Sequence, residues 1–159
     1  MTLADALAWI EGTAFAVTLR ESASIWAYPT VLTLHTIGLA VLVGASTALD
    51  LRLLGCARAI PVAAFAPSFR VMWIGFWINA VSGVVLFTAE ATTKGSSATF
   101  VWKLGIIALC VVNMWVIRRV VFERPAAPLD AGALPKLLAA SSLALWVIAI
   151  ALGRWMAYA

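Results

Sequence analysis

The sequence is poor in charge and in the residues that usually carry chemistry. Lys, Arg, Asp and Glu make up 11% of the 159 residues, there are two cysteines, and His35 is the single histidine. The chain has no paired carboxylates, zinc-ligand spacing, phosphate-binding loop, or nucleophile with an activating base. Its loops are also too short to hold a separate catalytic module. These absences argue against an independent catalytic activity.

Apolar residues, in contrast, are abundant. They account for 64% of the chain, and the mean hydropathy is +1.03, which excludes an ordinary soluble domain. Apolar runs lie at about residues 25–49, 69–90, 100–122 and 134–158. About 20 helical residues cross a hydrocarbon core of roughly 30 Å, and backbone groups in lipid must be bonded internally. The sequence therefore predicts one all-α domain, a four-helix transmembrane bundle in a lipid bilayer.

The first 20 residues have a different pattern. Apolar residues recur there at helical spacing, whereas Asp5 and Glu11 lie between them; the apolar positions are Leu3, Leu7, Ile10, Ala14 and Val17. This pattern predicts an N-terminal amphipathic helix over residues 1–20, lying in the membrane interface. The acidic residues and the lack of a basic start favour this interpretation over a signal peptide.

Basic residues predict the orientation of the bundle. Most of the 11 Lys and Arg residues follow the first and third runs, namely Arg52, Arg58, Arg70, Arg118, Arg119, Arg124 and Lys136, whereas Arg20, Lys94, Lys103 and Arg154 fall on the opposite side. Basic residues accumulate in cytoplasmic loops. We therefore expect a bacterial inner-membrane protein with both termini outside. The basic residues are spread along the bilayer edges, so nucleic acid is not an expected partner.

Polar residues inside the apolar runs are the candidate functional residues, because they are costly in lipid. Counted from the ends of the runs, His35, Asn79 and Asn113 fall near the middle of the first three. Helical phase places His35 on one face with Ser46 and Asp50. We therefore expect His35, Asn79 and Asn113 to form one polar cluster inside the bundle, as the candidate cofactor-binding residues.

His35 has three open interpretations. It can be a structural residue bonded to an asparagine or a water, a ligand of haem or a metal, or a proton-transfer group. A copper set would combine His35 with Cys110 and Met114, because imidazole, thiolate and thioether suit Cu(I). Both sulfur residues are also common apolar fillers of helix bundles.

Charged residues at the ends of the runs suggest further contacts. Glu90 and Lys103 could pair across the second and third runs, and Asp50 could enter the bundle through an ion pair to Arg118 or Arg119. The face that carries Ala40, Gly44 and Ala48 presents small residues at intervals of four. Such a face permits close helix packing, within the bundle or against a homo-oligomeric or other membrane partner.

Several segments resemble known bacterial membrane proteins. The segment HTIGLAVLVGASTALDLRLLG (His35–Gly55), the spacing of Trp73 to Ser82–Gly83 and the set Phe100, Lys103 and Asn113 are distantly similar to the copper-resistance protein D family and to four-helix b-type cytochromes. The resemblance covers roughly residues 30–120. It implies copper handling or electron transfer, haem b or copper as cofactor, and His35 as the residue carried over. With one histidine, a second haem ligand would have to be Met114 or come from a partner chain.

The sequence thus leaves more than one function open. The first expectation is a small membrane subunit of a redox or metal-handling system that binds haem, quinone or copper at His35. The alternatives are a non-enzymatic anchor or assembly protein, in which the polar residues only fix helix register, and a small transporter.

Overall fold

The computed structural model describes residues 2–24, 26–123 and 132–156. Their α-helices are α1 (Leu3–Glu11), α2 (Ala14–Glu21), α3 (Tyr28–Leu54), α4 (Ser68–Ala89), α5 (Ala91–Gly95), α6 (Ala98–Ile117) and α7 (Ala133–Trp155). A 3₁₀ turn (Val62–Phe65) precedes α4, and a π-helical turn (Arg118–Phe122) continues α6. These ranges contain no β-strand.

Four of these helices, α3, α4, α6 and α7, are long and apolar enough to cross a membrane. The predicted all-α bundle with four membrane-spanning helices is confirmed. The first helix runs over Tyr28–Leu54 and not over residues 25–49. Pro29 in its first turn sets the start, and Gly55, with a φ of 107°, caps the end in the left-handed conformation. The last helix was predicted to reach Tyr158, which lies outside the described residues.

The long helices pack in the order α4, α3, α7, α6. We call the end of the bundle at Tyr28, Ala89 and Ala98 the α5 end, and the end at Leu54, Ser68 and Phe122 the π end. Aromatic rings join α4 to α6 near both ends. The ring centroids of Phe69 and Phe122 and those of Phe87 and Phe100 are each 5.2 Å apart.

Two glycines allow α3 and α4 to approach closely. A Cβ atom on Gly38 would lie 2.6 Å from the backbone nitrogen of Asn79, and one on Gly75 would lie 2.7 Å from that of Leu42. Side-chain carbons do not fit at such distances. The α3–α4 contact therefore depends on glycine at both positions, as expected of small residues between helices in lipid.

The N-terminal segment is helical as predicted, but it is divided into two short helices. Gly12 ends α1, and the Thr13 hydroxyl accepts a hydrogen bond of 3.3 Å from the Ala16 amide, which starts α2. Leu7, Ala16 and Leu19 are buried, and the two helices pack near α4 and α5 at the α5 end.

Hydrogen bonds and an ion pair attach the helices α1 and α2 to the rest of the bundle. The Glu11 carboxylate accepts hydrogen bonds from the side chain and the amide of Thr92. These bonds hold the pKa of Glu11 below its usual range. Arg20 donates to Glu11 and to the Ala89 carbonyl, each at 3.2 Å, and so ties α2 to the end of α4.

The exterior of the bundle is apolar. Side chains such as Trp77, Val84, Trp115 and Val147 are more than half exposed, a surface that requires lipid and not water as its surroundings. At the α5 end, Trp26, Trp102 and Trp155 are exposed, as is typical of aromatic side chains at a membrane interface.

Candidate functional site

The imidazole of His35 is held by α4. Its Nδ1 atom lies 2.9 Å from the carbonyl oxygen of Asn79 and 3.1 Å from the hydroxyl of Ser82. Because a carbonyl oxygen can only accept a hydrogen bond, Nδ1 carries a proton, and in the neutral imidazole Nε2 then carries the lone pair. Nε2 has no hydrogen-bond partner among the described residues.

Residues of α4 form a cradle for this ring. The side-chain amide of Asn79 donates to the backbone carbonyl of His35 at 2.8 Å, which reciprocates the bond from His35. The Ser82 hydroxyl donates to the Ile78 carbonyl at 2.6 Å. A Cβ atom on Gly83 would lie 3.1 Å from Cε1 of His35, so glycine there lets the ring lie against α4.

Lys103 is the charged residue of α6 nearest to this site. Like His35, it lies in the half of its helix nearer to the α5 end, and a Cβ atom on Gly153 of α7 would be 3.7 Å from its Nζ. The predicted pair of Lys103 with Glu90 does not form. Glu90 pairs with Lys94 at 3.2 Å and accepts from the Tyr28 hydroxyl at 3.3 Å.

Asn113 lies at a different interface from His35. Its side-chain amide donates to the Leu138 carbonyl of α7 at 3.0 Å. Leu138 is one turn before Ser142 on α7, and the Ser142 hydroxyl lies 3.3 Å from that of Ser46, which is 11 residues after His35 on α3. Eleven helical residues correspond to about 16 Å towards the π end. The structure thus joins His35 to Asn79 but not to Asn113.

The sulfur atoms of the predicted copper set also lie elsewhere. Cys110 and Met114 are buried in the apolar core with Leu42 and Met72. Asn113 lies between them on α6 and bonds to Leu138 of α7, and neither sulfur atom has a described contact with His35. No group of three His, Cys, Asp or Glu side chains in the described ranges is placed to hold a metal. Copper binding by His35, Cys110 and Met114 stays a prediction without support from this placement.

A second polar network, which the sequence analysis did not identify, lies between α3 and α7. Asp50 is fully buried, and its Oδ2 accepts from the Ser46 hydroxyl at 3.2 Å. The Ser46 hydroxyl lies 3.3 Å from that of Ser142 and accepts from the Trp146 indole at 3.2 Å. The signal was present, since Ser46 and Asp50 on one helix and Ser142 and Trp146 on the other are each four residues apart.

Asp50 does not pair with the predicted arginines. Arg118 and Arg119 instead form ion pairs of 3.2 Å with Glu123. These side chains are about half exposed, because the π-helical turn directs them to the end of the bundle. The burial of Asp50 therefore depends on serine hydroxyls and not on a countercharge from α6.

Two cavities lie at the π end. The larger has a volume of about 680 Å³ and lies between the start of α4 and the end of α6, where Arg70, Trp73 and Arg118 contribute to its walls. The smaller, about 310 Å³, is next to Arg52 and Lys136. Neither includes His35 or Asn79.

The arrangement around His35 can bind a ligand through one nitrogen. A neutral imidazole with a fixed ring and a free Nε2 lone pair can ligate a metal or accept a proton. Comparisons with protein-family models, characterised proteins and solved structures find no match to this chain.

Proposed function

We propose that this protein is a small membrane subunit of a redox or metal-handling system, and that it holds an electron carrier at His35. The observation that carries the proposal is the state of the imidazole. Nδ1 is fixed by the Asn79 carbonyl and Ser82, and Nε2 is left with a lone pair. Metal-ligating histidines usually donate the other ring N–H to a carbonyl or carboxylate, which orients the ring and makes it a better ligand.

We prefer haem or quinone to copper as the proposed carrier. Haem iron can accept the Nε2 lone pair, and Lys103 offers a positive charge to a propionate. A quinol hydroxyl could donate to Nε2, and Lys103 could donate to a quinone carbonyl. Copper would need ligands besides His35, and Cys110 and Met114 lie nearer to the π end.

A partner is part of the proposal. One histidine supplies one axial haem ligand, so a second would come from another chain. The face with Ala40, Gly44 and Ala48 is exposed, and a Cβ atom on Gly44 would meet no atom within 4 Å. This face is available to a homo-oligomeric or other partner in the proposed location, the bacterial inner membrane.

A non-enzymatic anchor or assembly protein is the second candidate. The His35 side chain bonds to the Asn79 carbonyl, and the Asn79 side chain bonds to the His35 carbonyl. These two bonds can fix the register of α3 and α4 without any ligand. Both candidates place His35 inside the bundle, but only the first requires Nε2 to bind something.

The absorption spectrum and composition of the purified protein decide between them. We expect protein isolated in mild detergent to contain haem, seen as a reducible Soret band, or extractable quinone. His35→Ala should lose the carrier, because Nε2 is its point of attachment. Thr33→Ala is the matched control, since that hydroxyl bonds only to Pro29 of its own helix, and it should retain the carrier.

The anchor would be favoured by a protein free of haem, quinone and metal that co-purifies with a fixed partner. For either candidate, light scattering after gel filtration should show more than one chain in the particle. A monomer that retains its carrier would contradict the expected partner.

A further inference from the structure

The most deeply buried charged side chain of the described residues is Asp50, with an exposed fraction of 0%. Its Oδ2 atom is bonded to Ser46, but Oδ1 has no hydrogen-bond partner among the described residues. An unpaired buried oxygen costs about 1–3 kcal/mol, and an unpaired buried charge costs more. Asp50 therefore needs a partner that neutralises it and occupies Oδ1.

Among the described residues, the basic side chains at the π end do not supply that partner. Arg118 and Arg119 pair with Glu123. Arg52, two residues after Asp50, donates to the Ile60 carbonyl in the loop beyond α3. On α7, Lys136 is exposed and lies more than one turn before Ser142. The described ion pairs do not include Asp50.

The surroundings of Asp50 are rich in hard oxygen donors. The Ser46 hydroxyl, which donates to Oδ2 of Asp50, lies 3.3 Å from the Ser142 hydroxyl. This distance between the two hydroxyl oxygens exceeds the usual 2.7–2.8 Å or so of hydroxyl hydrogen bonds. A cation with the radius of Ca²⁺, bound at about 2.3–2.6 Å, places adjacent oxygen ligands about 3.3–3.7 Å apart. Na⁺ has nearly that radius, and the observed spacing is near the lower limit of this range.

We propose that Asp50, Ser46 and Ser142 form a binding site for a sodium ion between α3 and α7. Asp50 supplies Oδ1 and the balancing charge. Ser46 and Ser142 supply hydroxyl oxygens from the two helices. The Trp146 indole donates to the Ser46 hydroxyl at 3.2 Å, which fixes that hydroxyl and leaves a lone pair for the ion.

Charge and valence favour Na⁺ over the other simple occupants. A proton would neutralise the carboxylate but leave an oxygen of the carboxyl group without a partner. A divalent ion would leave a net positive charge in a dry interior with one carboxylate, which is unfavourable. A sodium ion neutralises the carboxylate and also occupies Oδ1. Hard oxygen ligands without nitrogen or sulfur suit such an ion.

The position of the site gives binding a structural consequence. Asp50 is four residues before the end of α3, and Ser142 lies in the first half of α7. An ion shared by the two helices would hold α3 and α7 together near the π end. The inference is independent of the proposed function, since it uses none of the residues around His35.

Thermal unfolding of the full-length protein in mild detergent tests the site. Samples in NaCl and in choline chloride at equal ionic strength and pH are compared. We expect saturating sodium to raise Tm by roughly 5–10 °C, and Asp50→Asn to abolish that difference. Glu123→Gln is the matched control, because this exposed carboxylate at the same end pairs with arginines; it should keep the sodium effect.

If Asp50→Asn does not fold, a direct measurement of sodium binding tests the proposal instead. Wild-type protein should bind ²²Na⁺ saturably at one ion per chain, and Ser142→Ala should bind it more weakly by about tenfold or more, because one ligand is lost. Equal Tm in sodium and choline with no saturable ²²Na⁺ binding would overturn the proposal. A Tm that responds to pH but not to sodium would also overturn it, since Asp50 would then be a proton site.

Discussion

His35 shows how a single polar residue can define both a helix contact and a binding site. Its backbone carbonyl and its Nδ1 atom both bond to Asn79, so the residue is part of the α3–α4 interface. Its Nε2 atom contributes nothing to that interface. The two nitrogens of one ring thus separate the structural role from the proposed ligand-binding role.

A double-mutant cycle tests the structural role. We expect His35→Ala and Asn79→Ala to be coupled by about 0.5–3 kcal/mol in unfolding free energy, because their two bonds to backbone carbonyls lie in one α3–α4 contact, and each bond needs the close approach of the helices that the other helps to maintain. The pair His35→Ala and Asn113→Ala should be additive within about 0.5 kcal/mol, because Asn113 bonds to Leu138 at another interface. Unfolding by SDS in mixed micelles measures these values. Coupling of His35 to Asn113 but not to Asn79 would contradict the structure.

At the scale of elements, the contact between α3 and α4 depends on backbone proximity. Gly38 and Gly75 face each other, and an added Cβ atom on either would lie 2.9 Å from the carbonyl oxygen of the other. Backbone atoms cannot move aside as a flexible side chain can. A methyl group at either position therefore has to push the two helices apart, which would also lengthen the bonds between His35 and Asn79.

Alanine substitutions measure that dependence. We expect Gly38→Ala and Gly75→Ala each to lower the unfolding free energy by about 1–3 kcal/mol, as overpacking does. Gly44→Ala is the matched control on the same helix, because its Cβ atom would meet nothing within 4 Å, and it should stay within about 0.5 kcal/mol of wild type. The same SDS titration reports all three. A larger loss at Gly44 than at Gly38 would show that an interface with another chain dominates.

At the scale of the whole molecule, hydrophobic length was enough to predict four spans, because the bilayer imposes a minimum helix length. The depth of the polar residues in the bilayer was harder to predict, because the depth depends on where each helix actually begins and ends. α3 continues to Leu54, beyond its apolar run, before Gly55 caps it, which places His35 nearer to the α5 end, whereas Asn113 is nearer to the π end. The Asp50 network was missed because Ser142 and Trp146, its members on α7, are far away in sequence, and only packing brings them to Ser46 and Asp50.

The orientation of the bundle in the membrane is predicted from the distribution of basic residues and can be tested with the native cysteines. Cys56 is exposed at the π end and Cys110 is buried, so a maleimide that cannot cross membranes should label Cys56 alone. The predicted orientation puts the π end in the cytoplasm. We therefore expect Cys56 to be protected in spheroplasts and labelled after permeabilisation. The variant Cys56→Ser should not be labelled before or after permeabilisation. When Ser96→Cys is added to Cys56→Ser, the new cysteine should be labelled in intact spheroplasts, because residue 96 is exposed at the α5 end. Labelling of Cys56 in sealed spheroplasts would reverse the orientation and place His35 nearer to the cytoplasmic side.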